Sequence, residues 1–128
     1  MDVENIYHHF LEADGVTTDS RDVPENSIFF ALKGEHFNGN QYAGEAIKKG
    51  ASYAIVDEQE WANNNQCILV DNVLTTLQEL AHYHRQKMKA KIIAITGSNA
   101  KTTTKELAYS ILSSSFNVLT NIKNYNNH

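Results

Sequence analysis

A short polar loop between an apolar run and a helix-forming segment carries the residues best suited to chemistry. The apolar run is Ile92 to Thr96, and the loop is Gly97-Ser98-Asn99-Ala100-Lys101-Thr102-Thr103. Such a loop can offer backbone N–H groups and the positive end of a helix to an anion. Its lysine can reach the terminal phosphates of a nucleotide, and its hydroxyl can bind Mg²⁺. These residue types therefore point to nucleotide-phosphate binding.

The general phosphate-binding pattern, Gly-x-x-x-x-Gly-Lys-[Ser/Thr], fits this loop only in part. Its two glycines fall on Ile95 and Ala100, so that Gly97, Lys101 and Thr102 are what remains of the expected chemistry. The pattern alone leaves two interpretations open. One is a nucleotide loop, and the other is an ordinary strand-to-helix turn with a polar first helical turn.

The segments around the loop alternate between strand and helix patterns, which indicates α/β architecture. Short apolar or β-branched runs predict strands at 27–32, 53–57, 67–70, 92–96 and 116–120. Apolar residues at helical spacing predict helices at 3–13, 41–49, 72–89 and 102–114. The polar stretches at 16–26, 33–40 and 58–66 are predicted to be loops and turns.

A change in charge along the chain predicts a domain boundary. Basic residues concentrate after position 84, whereas the preceding part is acidic. We therefore expect a first domain of residues 1–85 and a second of residues 86–128. The second holds a single β-α-β unit, which cannot cover both faces of a parallel sheet. It is expected to be the start of a larger, truncated domain.

The composition of the 128 residues excludes several functional classes. A net charge of −4 argues against a nucleic-acid-binding protein. The single cysteine, Cys67, rules out an internal disulfide framework and suits a reducing cytosol. No run approaches the roughly 18 apolar residues of a membrane span, and no signal peptide is visible. A cytoplasmic protein is expected.

Residues 94–107, Ala-Ile-Thr-Gly-Ser-Asn-Ala-Lys-Thr-Thr-Thr-Lys-Glu-Leu, resemble the ATP-binding loop of the Mur ligases. That family's own pattern is Thr-Gly-[Thr/Ser]-Asn-Gly-Lys-Thr-[Ser/Thr], and it tolerates a non-glycine at the Ile95 position. Three upstream blocks resemble the family's uridine-nucleotide-binding N-terminal domain: 18–21, 27–35 and 37–40. Downstream, Thr120 with residues 124–128 resembles the Thr-x-x-Asn-x-Asn-Asn segment of the central domain.

The resemblance implies a fold and a reaction. The fold is a small α/β UDP-substrate-binding N-terminal domain followed by the first β-α-β unit of a P-loop ATPase domain. In the reaction, ATP phosphorylates the carboxylate of a UDP-N-acetylmuramoyl-tripeptide, and an amine attacks the acyl phosphate. The pairing of Phe-Phe-Ala-Leu-Lys-Gly with Thr-Thr-Thr-Lys-Glu-Leu points to the member that adds D-alanyl-D-alanine, and such an enzyme is expected to be monomeric at full length.

Three alternatives stay open beside this one. The first is another member of the family, the diamino-acid-adding ligase. The second is a non-catalytic UDP-muramoyl-peptide binding module that keeps a vestigial phosphate loop. The third is an unrelated P-loop NTPase, which predicts an acidic Walker-B strand that the sequence does not show.

The resemblance also implies roles for individual residues. Lys101 and Thr102 would be catalytic, with ATP and Mg²⁺ as cofactors and Thr102 as a ligand of Mg²⁺. The residues implied in holding the ATP phosphates are Gly97, Ser98, Asn99, Ala100, Lys101, Thr102 and Thr103. The residues implied in binding the UDP-muramoyl peptide are Ser20, Arg21, Lys33, Gly34, His36, Phe37, Asn38, Asn126 and Asn127.

Two positions depart from the family pattern, because Ala100 and Lys123 stand where the family has glycine. If position 100 requires a positive φ, alanine there costs about 1 kcal/mol or more. If the backbone there is α-like, alanine is harmless. The parts of the family that bind adenine and receive the dipeptide have no counterpart in these residues, so the chain alone is predicted to have no ligase activity.

Overall fold

The computed structural model describes residues 2–121. The chain divides into two compact units, Met1–Lys89 and Ala90–His128, each of which has its own architecture. Three residues singled out in the sequence, Lys123, Asn126 and Asn127, lie outside the described residues.

The first unit is built on a parallel four-stranded sheet with the strand order β1-β2-β5-β6. A small antiparallel hairpin, β3–β4, follows β2. The strands are β1 (Gly15–Thr17), β2 (Ser27–Phe30), β3 (Lys33–Gly34), β4 (Phe37–Asn38), β5 (Tyr53–Val56) and β6 (Cys67–Leu69). The helices of this unit are α1 (Val3–Glu12), α2 (Ala43–Lys49) and α3 (Val73–Lys87), with short 3₁₀ helices at Gly39–Tyr42 and Gln59–Trp61.

Both faces of the sheet are buried, and β2 shows how the sequence achieves this. Alternate side chains of a strand point to opposite faces. Ile28 and Phe30 pack in one core with Ile6 of α1 and Leu80 of α3, while Phe29 packs in a second core against α2. A parallel strand that is covered on both faces is expected to be apolar at nearly every position. This is why the run from residue 28 to residue 31 contains no polar side chain.

Local sequence signals fix the ends of the helices. Asn72 precedes α3, and its side-chain oxygen accepts a hydrogen bond from the N–H of Thr75 at 2.9 Å, which caps the helix. At the other end of α3, Arg85 and Lys87 lie in the last turn, where positive charge is favourable. Helix α2 ends at Lys49, and it is capped by Gly50, whose φ of 122° suits glycine.

The predicted strands at 27–32, 53–57 and 67–70 and the predicted helices at 3–13, 41–49 and 72–89 are confirmed, with ends shifted by a few residues. Two features are missing from the prediction. Strand β1 lies at the start of the stretch that was expected to be turn-like, and the β3–β4 hairpin lies inside the expected loop 33–40. Both are very short, and β3 is exposed throughout, so neither has an apolar alternation that could mark it.

In the second unit, the helix predicted at 102–114 is confirmed as α4 (Lys101–Leu112). The strands predicted at 92–96 and 116–120 are not formed in the described residues, so that only the helix of the expected β-α-β unit is present in this structure. Ile92 and Ile93 are each 66% exposed, and Leu119 is 96% exposed. A parallel pair of strands requires cover on both faces. With α4 as the only helix in residues 90–121, that cover is missing.

Gly39 provides a test of the backbone packing that supports the hairpin. Its N–H donates to the carbonyl of Leu32 at 2.9 Å, and a Cβ on Gly39 would lie 2.5 Å from that same carbonyl oxygen. We predict that Gly39→Ala lowers the free energy of unfolding by about 1–3 kcal/mol, since backbone must shift to relieve the overlap. Urea denaturation monitored by circular dichroism measures the change.

Gly44→Ala is the matched control, because a Cβ at exposed Gly44 in α2 meets nothing within 4 Å. This variant is expected to be more stable than the unchanged chain by about 0.4–1 kcal/mol, owing to the reduced entropy of the unfolded state. Equal effects of the two substitutions would contradict the packing described for Gly39.

Candidate functional site

The N-terminal end of α4 has the electrostatic properties of an anion site. Its first intrahelical hydrogen bond runs from the N–H of Thr104 to the carbonyl of Ala100 at 2.9 Å. The amide groups of residues 101–103 therefore precede that bond and lie at the positive end of the helix dipole. The first turn contains no acidic residue. An anion placed there would meet backbone donors and no opposing carboxylate.

The predicted phosphate loop lines a cleft of about 570 Å³, which we call the α4 cleft. Six of the seven residues predicted to hold phosphates lie in its wall, and the seventh, Gly97, comes directly before them. The lining residues are Ile93, Ile95, Ser98, Asn99, Ala100, Lys101, Thr102, Thr103, Lys105, Leu119, Thr120 and Asn121. The cleft thus combines a helix N-terminus with two lysines and a row of hydroxyls.

The two lysines of the α4 cleft have different surroundings. The ammonium of Lys101 donates to the carbonyl oxygen of Gly97, so this side chain folds back over the loop. Lys105 donates to the carbonyl of Asn121 at 3.0 Å and approaches Glu106 at 3.4 Å. The partner of Lys101 is a neutral oxygen, which a phosphate can replace with a stronger, charge-assisted interaction.

The structure shows whether the backbone at Ala100 has a positive φ or is α-like, which the sequence left open. Its φ is 59° and its ψ is 14°, which is the left-handed helical region, and it is the N-cap of α4. A residue with a Cβ is strained there by roughly 1–2 kcal/mol, whereas glycine is not. Gly97, at a φ of 152°, has the residue type that its backbone favours. Alanine at position 100 is therefore not harmless in this loop.

We predict that Ala100→Gly makes the loop and the start of α4 more stable by about 1 kcal/mol, because it removes the strain of the left-handed backbone. Slower hydrogen exchange at the N–H of Thr104, which bonds to the carbonyl of residue 100, measures the gain. Ala108→Gly, in the middle of α4, is the matched control and is expected to accelerate exchange, because glycine destabilises a helix interior. The same direction of change in both variants would contradict the assigned strain.

In the first unit, polar side chains collect where the parallel strands end. Asp19, Ser20 and Arg21 follow β1, Lys33 follows β2, and Asp57 directly follows β5. In open α/β sheets, ligands bind at the carboxyl ends of the strands. The predicted substrate residues of this unit therefore lie at the edge of the sheet where a ligand is expected.

The β3–β4 hairpin forms one wall of a second cleft of about 370 Å³, the hairpin cleft. It brings together all five hairpin residues that were predicted to bind the UDP-linked substrate. Its lining residues are Lys33, Gly34, Glu35, His36, Phe37, Asn38, Gln41 and Tyr42. The rings of Phe37 and Tyr42 are stacked, with centroids 5.5 Å apart and planes 10° apart, and Phe37 remains 46% exposed. The exposed ring gives this cleft an aromatic surface beside polar groups.

Ser20 and Arg21 lie on a different loop and do not line the hairpin cleft. The guanidinium of Arg21 binds both carboxylate oxygens of Asp19, at 2.9 and 2.7 Å, and this pairing holds the pKa of Asp19 well below its usual range. The Arg21 side chain is 88% exposed. Ser20 is buried, and its carbonyl accepts a hydrogen bond from Lys49 at 2.8 Å. The loop thus has an ordered backbone beneath an accessible cation.

Asp57 and Asn40 are residues at this edge that the sequence did not single out as site residues. The carboxylate of Asp57 is 5% exposed, and it binds Lys33 at 2.9 Å, Asn40 Nδ2 at 2.9 Å and the N–H of Val73 at 3.2 Å. Asn40 is fully buried and accepts a hydrogen bond from the N–H of Asp57. Burial by itself raises the pKa of Asp57, but the hydrogen bonds from Lys33, Asn40 and Val73 outweigh it and lower that pKa. An aspartate directly after a buried strand was the available sequence signal.

The lowered pKa of Asp57 predicts a pH dependence of folding. A group whose pKa is depressed in the folded state contributes stability above its unfolded pKa, and this contribution is lost as the pH falls through the folded value. The unfolded value for aspartate is about 3.9. We expect the unchanged chain to be more stable than Asp57→Asn near neutral pH, and the difference between them to shrink as the pH falls below about 4. Urea denaturation at a series of pH values measures it, and a constant difference down to pH 2 would contradict the assignment.

Comparison with known proteins places these features in a family context. A model of the Mur ligase family, catalytic domain, matches residues 12–110. Three curated relatives carry the name UDP-N-acetylmuramoyl-tripeptide–D-alanyl-D-alanine ligase. They come from Bacillus subtilis (37% identical, 89% of this chain and 25% of the relative), Rickettsia prowazekii (42%, 92% and 26%) and Escherichia coli (39%, 91% and 26%). The chain spans about a quarter of the length of these relatives.

Solved structures that resemble this chain also come from the Mur ligase family. MurF ligase from Thermotoga maritima, in complex with ADP, has a TM-score of 0.70 and 31% identity, over 83% of this chain and 24% of that one. MurF from Acinetobacter baumannii has a TM-score of 0.70 and 28% identity, over 88% of this chain and 27% of that one. Within residues 2–121, no helix has the length and apolar character needed to cross a membrane.

Proposed function

The chain belongs to the Mur ligase family, and from this premise we propose that it is part of an ATP-dependent ligase that joins D-alanyl-D-alanine to UDP-N-acetylmuramoyl-tripeptide. In this proposal, residues 1–85 supply the domain that binds the UDP-linked substrate, and residues 86–128 supply the start of the ATP-binding domain. The assignment of the substrates is supported by the relatives that are named for this reaction. The assignment of the nucleotide is supported by the ADP complex of the Thermotoga maritima protein. The full-length enzyme would act as a monomer in the cytoplasm in the synthesis of peptidoglycan precursors.

The observation that carries the proposal is the α4 cleft. It gathers Ser98 to Thr103 around the positive end of a helix, without an acidic residue in the first helical turn. These residues fit a nucleotide triphosphate with its Mg²⁺, because amide groups, two lysines and hydroxyls are the donors that phosphates and the cation require. When bound, ATP supplies the phosphoryl group that activates a carboxylate as an acyl phosphate.

In this proposal the backbone amides of the loop, Lys101 and Thr102 have different roles. The amide groups at the start of α4 orient the phosphates, and Lys101 leaves the Gly97 carbonyl to neutralise negative charge on them. The hydroxyl of Thr102 is the loop's ligand for Mg²⁺. Catalysis of this kind consists mainly of positioning and charge neutralisation, which is why the loop needs no acid or base of its own.

The first unit would bind the uridine nucleotide of the substrate. The exposed guanidinium of Arg21 matches the geometry of a diphosphate oxygen pair, and the hairpin cleft offers the exposed ring of Phe37 with the side chain of His36 beside it. Asn126 and Asn127, which lie outside the described residues, would be near the muramoyl part of the substrate.

A second candidate, a UDP-muramoyl-peptide binding module with a vestigial loop, is favoured by the strain at Ala100. Alanine in a left-handed backbone weakens the loop that holds ATP and leaves the hairpin cleft untouched. The two candidates differ in ATP affinity, since a binding module responds to the UDP-linked ligand alone.

We predict that UDP-N-acetylmuramoyl-tripeptide shifts the amide NMR signals of residues 20–21 and 33–42, and that ATP with Mg²⁺ shifts those of residues 97–104 with lower affinity. Lys101→Ala is expected to weaken the ATP response at least about tenfold, since it removes a charge-assisted contact to phosphate. Lys91→Ala is the matched control, because Lys91 is an exposed lysine that does not line the α4 cleft.

Two outcomes of this titration and one outcome of an ATPase assay are decisive. A UDP-linked ligand that leaves the first unit unchanged would overturn the proposed function. A response to that ligand with none to ATP, even in Ala100→Gly, would favour the binding module. Phosphate release from ATP by this chain alone, dependent on the UDP-muramoyl peptide, would contradict the prediction that the chain by itself is inactive.

A further inference from the structure

Two consecutive carboxylates hold the base of the β3–β4 hairpin. Lys33 and Asn38 face each other across the hairpin, and both contact Glu58. Asn38 Nδ2 lies 3.1 and 3.0 Å from the two carboxylate oxygens of Glu58, and Lys33 Nζ lies 3.4 Å from one of them. A single side chain therefore ties both strands of the hairpin at its open end.

Asp57 and Asn40 complete the arrangement from the other side. Asp57 binds Lys33 and Asn40 Nδ2, each at 2.9 Å. Asn40 in turn donates to Asn38 Oδ1 from both its backbone N–H and its side-chain amide, each at 3.0 Å. The five side chains form a closed ring of hydrogen bonds, which we call the base ring: Lys33, Asn38, Asn40, Asp57 and Glu58.

Glu58 is itself fixed in place. Its second carboxylate oxygen accepts a hydrogen bond from the indole N–H of Trp61 at 3.2 Å, and the Trp61 ring packs against the core between the sheet and α2. The hairpin base is thereby connected to the buried core between the sheet and α2. The tip of the hairpin, by contrast, exposes Glu35, His36 and Phe37.

The base ring engages the side chains of Asn38 and Lys33, two residues that were predicted to bind substrate. Asn38 accepts two hydrogen bonds through Oδ1 and directs Nδ2 to Glu58. The charge of Lys33 faces two carboxylates. A ligand that took up either side chain would have to break the ring, and a ligand that took up Lys33 would also leave Asp57, which is almost fully buried, without its cation.

We propose that Glu58 is a positioning residue for the nucleotide site, which acts through Asn38 and Lys33 to hold the hairpin so that its tip meets the ligand. In this assignment Asn38 and Lys33 form the base of the hairpin, and the contacts to the uridine nucleotide come from residues 34–37 with Gln41 and Tyr42. The inference rests on the proposed function, because it assigns the hairpin cleft to a UDP-linked ligand.

An exchange of partners tests this assignment. Glu58→Gln leaves only one neutral carbonyl oxygen to accept from the Asn38 amide, and Asn38→Asp places a carboxylate opposite Glu58, so each single change removes the charge-assisted hydrogen bond. The double variant Asn38→Asp with Glu58→Gln restores the bond with donor and acceptor exchanged and keeps the total charge of the ring. Glu60→Gln, which removes the same charge from an exposed position two residues away, is the matched control.

Two readouts on the full chain are required. The first is the Kd for UDP-N-acetylmuramoyl-tripeptide. We expect an increase of about tenfold for each single variant, which is the size of a lost charge-assisted hydrogen bond, and a return to within about threefold in the double variant. The second is the set of amide NMR signals of residues 34–37, which should move in the single variants and return in the double. Glu60→Gln should change neither readout.

The outcomes separate this inference from the proposed function. If the unchanged chain binds the ligand and Glu58→Gln binds it equally well, the inference is overturned and the proposed function stands. If the affinity lost in Glu58→Gln does not return in the double variant, the action through Asn38 is overturned. If the unchanged chain binds no UDP-muramoyl-tripeptide, the proposed function fails, and the ligand role of Glu58 fails with it. Should Glu58→Gln fail to fold, the double variant decides, because it must both fold and bind.

Discussion

Parallel strands have to be covered on both faces, and this requirement shapes the first unit. Helices α1 and α3 cover one face of the sheet and α2 covers the other, so that the residues of β2 and most of β5 are withdrawn from water. Polar side chains that contact each other or a ligand are therefore found at the ends of the strands. Asp57 follows β5 by one residue, which is why its carboxylate can be almost fully buried and still reach Lys33, Asn40 and the start of α3.

In the described part of the second unit, the helices needed to cover both faces of a parallel sheet are not present. Its apolar runs at 92–96 and 116–120 have the residue types of buried strands, but α4 is the only helix in residues 90–121. The side chains of Ile92, Ile93 and Leu119 remain largely exposed, and no strands pair within the described part of this unit. The α4 cleft forms without the sheet, and its suitability for an anion comes from the helix terminus and the loop. The loop and the helix terminus depend on adjacent residues and are formed, whereas pairing of the two apolar runs depends on residues more than 20 positions apart and is not formed in residues 90–121.

The same distinction explains which features the sequence could predict. The apolar run at 27–32 and the helical spacing in 72–89 are local patterns, and each predicted its element with only small errors at the ends. The loop that we propose to bind phosphates was predicted from a few adjacent residues. The roles of Asn40 and Glu58 could not, because their partners lie 17 and 20 residues away and meet them only through the order of the strands. The positive φ of Ala100 could not be predicted from the residue either, since alanine itself prefers a different backbone.

Both candidate sites hold their cations in internal contacts, and this bears on how they could choose a ligand. Arg21 is paired with Asp19, Lys33 with Asp57 and Glu58, and Lys101 with the carbonyl of Gly97. With a net charge of −4, the chain as a whole does not attract polyanions. An anionic ligand must therefore exchange partners with groups already in place. A carbonyl gives way to a phosphate more readily than a carboxylate does, because only the carboxylate opposes the exchange with a full negative charge. Lys101 is thus the cation best prepared to meet a phosphate. Lys33, held by two carboxylates, is the one least able to leave its place, which is the behaviour expected of a structural support for the hairpin.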